Sequence, residues 1–202
     1  MTFSLSQVLK HLKRDPKLAA IIKRVGKPEL RHTPHAYQSL VRAIIYQQLS
    51  GKAAAAIHAK FLATVPHRSY PKPAAALKAS TAKLRKAGLS KQKVSYLRDL
   101  SKKFESGYIN PKAFPTMSDE EIREHLIAVK GIGRWSADMF LMFSLNRPDV
   151  LPTGDLGIQK GIQKLFGLKT LPKPARMEKL AEAWRPYRTY ACWYLWQMQD
   201  TR

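Results

Sequence analysis

Two short stretches hold residue types that ordinary packing rarely asks for. At 151–160 the chain reads L-P-T-G-D-L-G-I-Q-K, which sets Asp155 after Pro152 and Gly154, where a helix should begin. At 129–137 it reads V-K-G-I-G-R-W-S-A, two glycines in three residues followed by Arg134, Trp135 and Ser136. A G-x-G turn between helices brings the second helix's free N–H groups to the surface. Gly131 and Gly133 would let a phosphate approach that backbone closely, and the positive helix end would attract it. Lys130 and Arg134 can add charge and Ser136 a hydroxyl. A plain helix–helix turn is the other reading of the glycines, as a simple N-cap is of Asp155. A carboxylate at a helix mouth is also placed for chemistry, and the rest of the chain says on what.

Lys and Arg number 36 against 14 Asp and Glu, a formal charge of +22 over 202 residues. An excess of that size points to a polyanionic partner, with nucleic acid first among them. The single Cys192 excludes a disulfide framework, a cysteine-based zinc site and a four-cysteine iron–sulfur cluster. His11, His32, His35, His58, His67 and His125 show no metal-ligand spacing with carboxylates or cysteine, so no catalytic metal is expected. No apolar run approaches the roughly 18 residues of a membrane span. The start, M-T-F-S-L-S-Q-V-L-K, reads as an amphipathic helix rather than a signal peptide.

The elements that must position these residues are helices throughout. Asp15-Pro16 forms an N-cap with proline at the first helical position, and Gly26 closes that helix. Pro34 starts another, in which Tyr37, Leu40, Val41, Ile44 and Ile45 recur at helical spacing through Q-Q-L-S at 47–50. The alanine-rich 53–63 is helical, Ser80 or Thr81 caps a short helix ended by Gly88, and Ser90 caps the next. S-D-E-E at 118–121 is a capping box whose helix runs to Lys130. Further helices are expected from about 133, 155, 175 and 187, and loops at 66–73, 110–116 and 172–174. No segment alternates with period two long enough to be a strand, so the fold class is all-α.

The block L-I-A-V-K-G-I-G-R-W-S-A-D-M-F, a spacer, then L-P-T-G-D-L-G-I, resembles the helix-hairpin-helix–GPD superfamily of DNA glycosylases. The match is to the alkylpurine branch, that of the bacterial inducible alkyladenine glycosylases and their yeast relatives. Three further segments agree: R-A-I-I-Y-Q-Q-L-S-G-K-A-A at 42–54, L-R-K-A-G-L-S-K-Q-K-V-S-Y-L at 84–97 and W-R-P-Y-R-T-Y-A-C-W-Y-L-W at 184–196. The bacterial inducible enzyme carries an extra α/β domain before its helical body, and this chain looks like the compact all-helical form. The resemblance implies one HhH-GPD unit over 1–202 with the helix-hairpin-helix at about 118–146. Its N- and C-terminal helices would form one lobe and the middle helices the other.

Such enzymes bend a duplex and flip a damaged nucleotide into a pocket. The family's catalytic aspartate falls on Asp155, while Lys130, Gly131, Gly133, Arg134 and Ser136 fall on the hairpin that holds the DNA backbone. A monovalent cation held by hairpin carbonyls often accompanies that grip, and no other cofactor is implied. In the bifunctional branch a lysine follows G-x-G-R and attacks the sugar. Here that position is Trp135, whose indole suits an electron-poor alkylated purine. Trp196 matches the branch's second pocket aromatic, whereas Trp184 and Trp193 read as core. Gln48, flanked by Gln47 and Ser50, aligns with the residue that plugs the gap left by the flipped base. Lys52, Lys91, Lys93 and Arg188 are candidates for phosphate contact. The implied activity is hydrolytic release of N-alkylated purines without lyase activity. The implied partner is double-stranded DNA with alkylated bases, met by an intracellular monomer without a membrane. A non-catalytic helix-hairpin-helix DNA-binding protein is the other reading of the same residues.

Overall fold

The computed structural model describes residues 4–30, 32–65 and 70–200. His67 and residues 66–69 of the expected loop lie outside them. Among the described residues there are helices and no strands. In chain order they are α1 (Leu5–Leu12), α2 (Pro16–Val25), α3 (Ala36–Tyr46), α4 (Gly51–Thr64), α5 (Pro73–Lys78), α6 (Thr81–Lys86) and α7 (Lys91–Glu105). A 3-10 turn at Phe114–Thr116 precedes α8 (Asp119–Ile127), α9 (Arg134–Phe143), α10 (Leu156–Phe166) and α11 (Pro174–Leu180). A second 3-10 turn at Glu182–Trp184 leads into α12 (Arg188–Asp200).

The starts follow the caps. Asp15 accepts from the Lys17 amide ahead of Pro16, and Ser118 with Glu121 makes the reciprocal capping box of α8. Ser4 and Gln7 make a second box at α1, legible as S-x-x-Q although only the amphipathic pattern is evident there at first sight. The ends depart further from expectation. α3 starts two residues after Pro34 and stops at Tyr46, so Q-Q-L-S is a turn and not the end of a helix. α8 stops at Ile127 rather than Lys130, because the Val129 amide turns back to Leu126 O and the Lys130 amide donates to Asp99 Oδ2 instead. The proline-rich loop gives way at Pro73 to α5, whose Ala76 is buried.

Two compact units emerge. One comprises Met1–His32 with Leu141–Arg202, the other Thr33–Phe140. In the first, α12 packs on α10 and α2. Gly161 brings α10 against Leu195, the Trp184 indole donates to Asp15 Oδ2 at 2.8 Å, and Tyr194 Oη donates to Gly26 O at 2.7 Å. In the second, α7 is the central post, with α3, α5 and α6 packed on it. Its core runs through Leu40, Ile44, Leu84, Val94, Leu97 and Leu100 to Ile122 and Leu126 of α8.

The connection from α8 to α9 is shaped by one glycine more than by the other. Gly131 has φ +80, and a Cβ there would fall 2.1 Å from the Tyr96 ring of α7. Gly133 has open space around it, and Ile132 between them is buried. Replacing Gly131 by alanine combines left-handed strain with an overlap of the new Cβ and the Tyr96 ring, so Gly131→Ala should cost at least about 2 kcal/mol. Gly133→Ala should cost under about 1 kcal/mol. Urea unfolding of the two variants checks this, and equal midpoints would contradict the asymmetry.

Candidate active site and DNA-binding surface

Asp155 is the N-cap of α10. Its Oδ1 accepts from the Ile158 amide at 2.8 Å, so the cap reading of the sequence holds. The same oxygen also accepts from the Trp196 indole Nε1 at 3.0 Å, a contact between positions 41 residues apart that no local pattern announces. Asp155 as a residue is 9% exposed, and its carboxylate is held by two donors from different helices. Gly157 makes that meeting geometrically allowed, since a Cβ there would lie 2.9 Å from both Asp155 Oδ1 and Trp196 Nε1. A glycine in the first turn of a helix costs stability, and that cost is the sequence signal by which Gly157 could have been found. Gln199 Nε2 donates to Gly157 O on the same side. The Trp196 ring lies 6.0 Å from Phe143 at a 31° tilt. Trp196 is thus a partner of the carboxylate first, and its stacking face is shared with a neighbour.

The hairpin in the other unit is held from two sides. Asp99 of α7 takes the Lys130 amide at 2.9 Å and Lys103 Nζ at 3.2 Å. Burial works against Asp99 ionising, and these donors outweigh it, leaving its carboxyl below the usual range. Arg123 bridges α8 to α9 through Asp138 at 2.6 Å; burial pushes the Asp138 carboxyl up and the guanidinium pulls against that rise. Arg134 projects from α9 but pairs with Glu120 at 3.1 Å, and this hydrogen bond is the main reason the Glu120 carboxyl sits below its ordinary value. Lys130, Gly131, Gly133 and Arg134 are all exposed, whereas Ser136 is 8% exposed and belongs to the packing of α9 rather than to the hairpin surface. Trp135, in the first turn of α9, is 50% exposed.

The 47–50 segment presents its residues unequally. Gln48 is exposed and left-handed, with φ +56. Gln47 turns inward and donates Nε2 to Gly131 O at 2.7 Å, and Ser50 caps α4 by accepting from the Ala53 amide. Of the candidate phosphate contacts, Lys52 and Lys91 are exposed. Lys93 instead donates to Ile45 O and Gln47 O. Arg188 is 7% exposed and bonded to Asp149 and Glu178, so it is structural. Trp184 is core as expected, while Trp193 is only half-buried. Among the described residues no cluster of His, Cys, Asp and Glu could hold a metal ion, and His11 and His32 are bonded to backbone carbonyls.

Known proteins share both pattern and fold. The model of the HhH-GPD superfamily base excision DNA repair proteins matches residues 41–186. DNA-3-methyladenine glycosylase 1 of Schizosaccharomyces pombe is 38% identical over 162 residues, covering 80% of this chain and 71% of its own. The structure of a DNA-3-methyladenine glycosidase from Bacillus halodurans superposes with a TM-score of 0.87 at 38% identity, over 96% of this chain and 89% of that one. That of the Schizosaccharomyces pombe 3-methyladenine DNA glycosylase in complex with abasic DNA does so with 0.83 at 34%, over 96% and 97%. A motif-bearing helical chain, matched along most of its length in sequence and nearly all of it in fold, belongs to the HhH-GPD superfamily of base excision DNA repair proteins.

Proposed function

We propose that the chain is a monofunctional DNA glycosylase of the 3-methyladenine II-like kind, releasing N-alkylated purines from duplex DNA by hydrolysis. The observation that carries this is the Asp155 carboxylate, withdrawn from water at the mouth of α10 and oriented by an amide and an indole N–H. As the glycosidic bond breaks, its electron pair leaves with the base and positive charge builds on the deoxyribose. A preorganised carboxylate stabilises that charge and accepts a proton from the water that adds to C1′. A purine alkylated at a ring nitrogen carries a positive charge that the departing electron pair neutralises, so it needs no general acid. The exposed Trp135 indole offers such a cationic ring a stacking face worth roughly 0.5–2 kcal/mol.

Trp135 also occupies the place where the bifunctional branch has its nucleophilic lysine, which supports hydrolysis without a Schiff base. Hairpin amides, Lys130 and Arg134 would hold the phosphate backbone, Arg134 by exchanging Glu120 for phosphate. A monovalent cation at the hairpin would use backbone carbonyls. Gly131 O already accepts from Gln47 and Val129 O from the Ile132 amide, but each oxygen keeps a second lone pair. Such a cation would supply positive charge facing the phosphate and take no part in bond breaking. The partner would be duplex DNA, met inside the cell by a monomer.

Asp155→Asn keeps a good N-cap and removes the charge. It should lower single-turnover release of methylpurines by about a hundredfold or more while binding an abasic-analogue duplex normally. Wild-type protein that binds this duplex yet releases no base would instead identify a DNA-binding module. Neither protein should give a borohydride-trapped complex. Trp196→Phe, which keeps an aromatic ring but loses Nε1–H, should slow release about tenfold; an unchanged rate would remove the indole from the site. Log affinity should fall linearly with log salt at about −0.9 per phosphate neutralised. Gly133→Ala should weaken binding with a stability loss under about 1 kcal/mol, and a flat salt response would rule out phosphate contact as its source.

A further inference from the structure

Lys93, Tyr96 and Asp99 recur every three residues and so run along one side of α7. Tyr96 and Asp99 hold the hairpin, the first by filling the space beside Gly131 and the second by taking the Lys130 amide. Lys93 reaches the other loop, donating Nζ to Ile45 O at 2.7 Å and to Gln47 O at 2.8 Å. These carbonyls lie at the C-terminal end of α3, where acceptors lack intrahelical partners and the helix dipole is negative. Held there, the chain leaves the helix at Gln47, with φ −54 and ψ 131, and enters Gln48 in the left-handed region. The Gln47 side chain then closes the circuit onto Gly131 O at 2.7 Å. The lysine's partners are both backbone carbonyls of its own chain, and burial lowers its pKa.

We propose that Lys93 is a positioning residue, holding the 47–50 turn in the shape that presents Gln48 to the duplex and joining that turn to the hairpin. This rests on the glycosylase reading, in which Gln48 fills the gap beside the flipped nucleotide. A phosphate-contacting lysine would raise affinity for every duplex alike. Lys93 acts only where a gap is filled.

The test is a double-mutant cycle of Lys93→Gln and Gln48→Ala, with Lys93→Arg as the conservative variant. Gap filling is read by fluorescence of 2-aminopurine opposite an abasic-site analogue, and excision by single-turnover release of 7-methylguanine. Lys93→Gln should keep its affinity for undamaged duplex within about threefold and lose about tenfold or more in excision, with a diminished fluorescence change. Lys93→Arg should recover part of both. In the Gln48→Ala background Lys93→Gln should add nothing, since it acts through that side chain. Additive losses, an unchanged fluorescence response, or equal losses on damaged and undamaged duplex would overturn the assignment. The fluorescence arm needs no base release. A wild type that frees no methylpurine would therefore sink the glycosylase reading while this arm still decides the role of Lys93.

Discussion

A short helix in water leaves its first amides without acceptors, and this chain is assembled from helices of six to fifteen residues. Among the described residues, seven helices begin on a serine or aspartate whose side chain takes an amide: Ser4, Asp15, Ser50, Ser80, Ser90, Ser118 and Asp155. Each such cap contributes about 0.5–2 kcal/mol, enough in sum to decide whether so many short segments stand. On the proposed reading both halves of the chemistry grow from the same need. One capping carboxylate has acquired an indole as a second donor and faces a sugar cation. One helix start, entered through glycines, offers its amides to a phosphate.

Caps are local, and this is why so much of the architecture was legible. Ser-x-x-Glu at 118–121, Asp15-Pro16 and the spacing of the apolar residues in α3 each signal within one or two turns of helix. What stayed hidden depends on residues far apart in the chain. Nothing near Lys93 says that its ammonium bonds the carbonyls at the end of α3, some 46 to 48 residues earlier. Q-Q-L-S continues a helical pattern in sequence, yet the chain turns there, with the Lys93 bonds and the Gln47–Gly131 bond made at that turn. Trp196 reads as a pocket aromatic because its ring is the visible property, whereas its N–H meets Asp155 across 41 residues. Arg188 passes for a surface cation until Asp149 and Glu178 are seen on either side of it.

The few acidic residues are mostly engaged in the fold. Asp99, Glu120, Asp138, Asp149, Glu178 and Glu182 lie in ion pairs, and Asp15, Glu121 and Asp155 accept at helix starts. Among the described residues, Arg123, Arg134, Arg185 and Arg188 supply cations to these pairs, as does Lys103. Lysine is a compact, strongly hydrated charge suited to attracting a polyanion at a distance, whereas arginine's planar fork suits a fixed partner.

On the proposed reading, in which Asp155 both caps α10 and serves the chemistry, this double employment has an evolutionary consequence. Asparagine caps a helix about as well as aspartate, so one substitution can silence the carboxylate while α10, its indole partner and the unit around them persist. Loss of catalysis in such a lineage therefore need not pass through an unfolded or poorly folded ancestor. A copy of this gene freed from selection for catalysis starts its drift as an intact DNA-gripping protein, already folded and ready to be recruited to a new task.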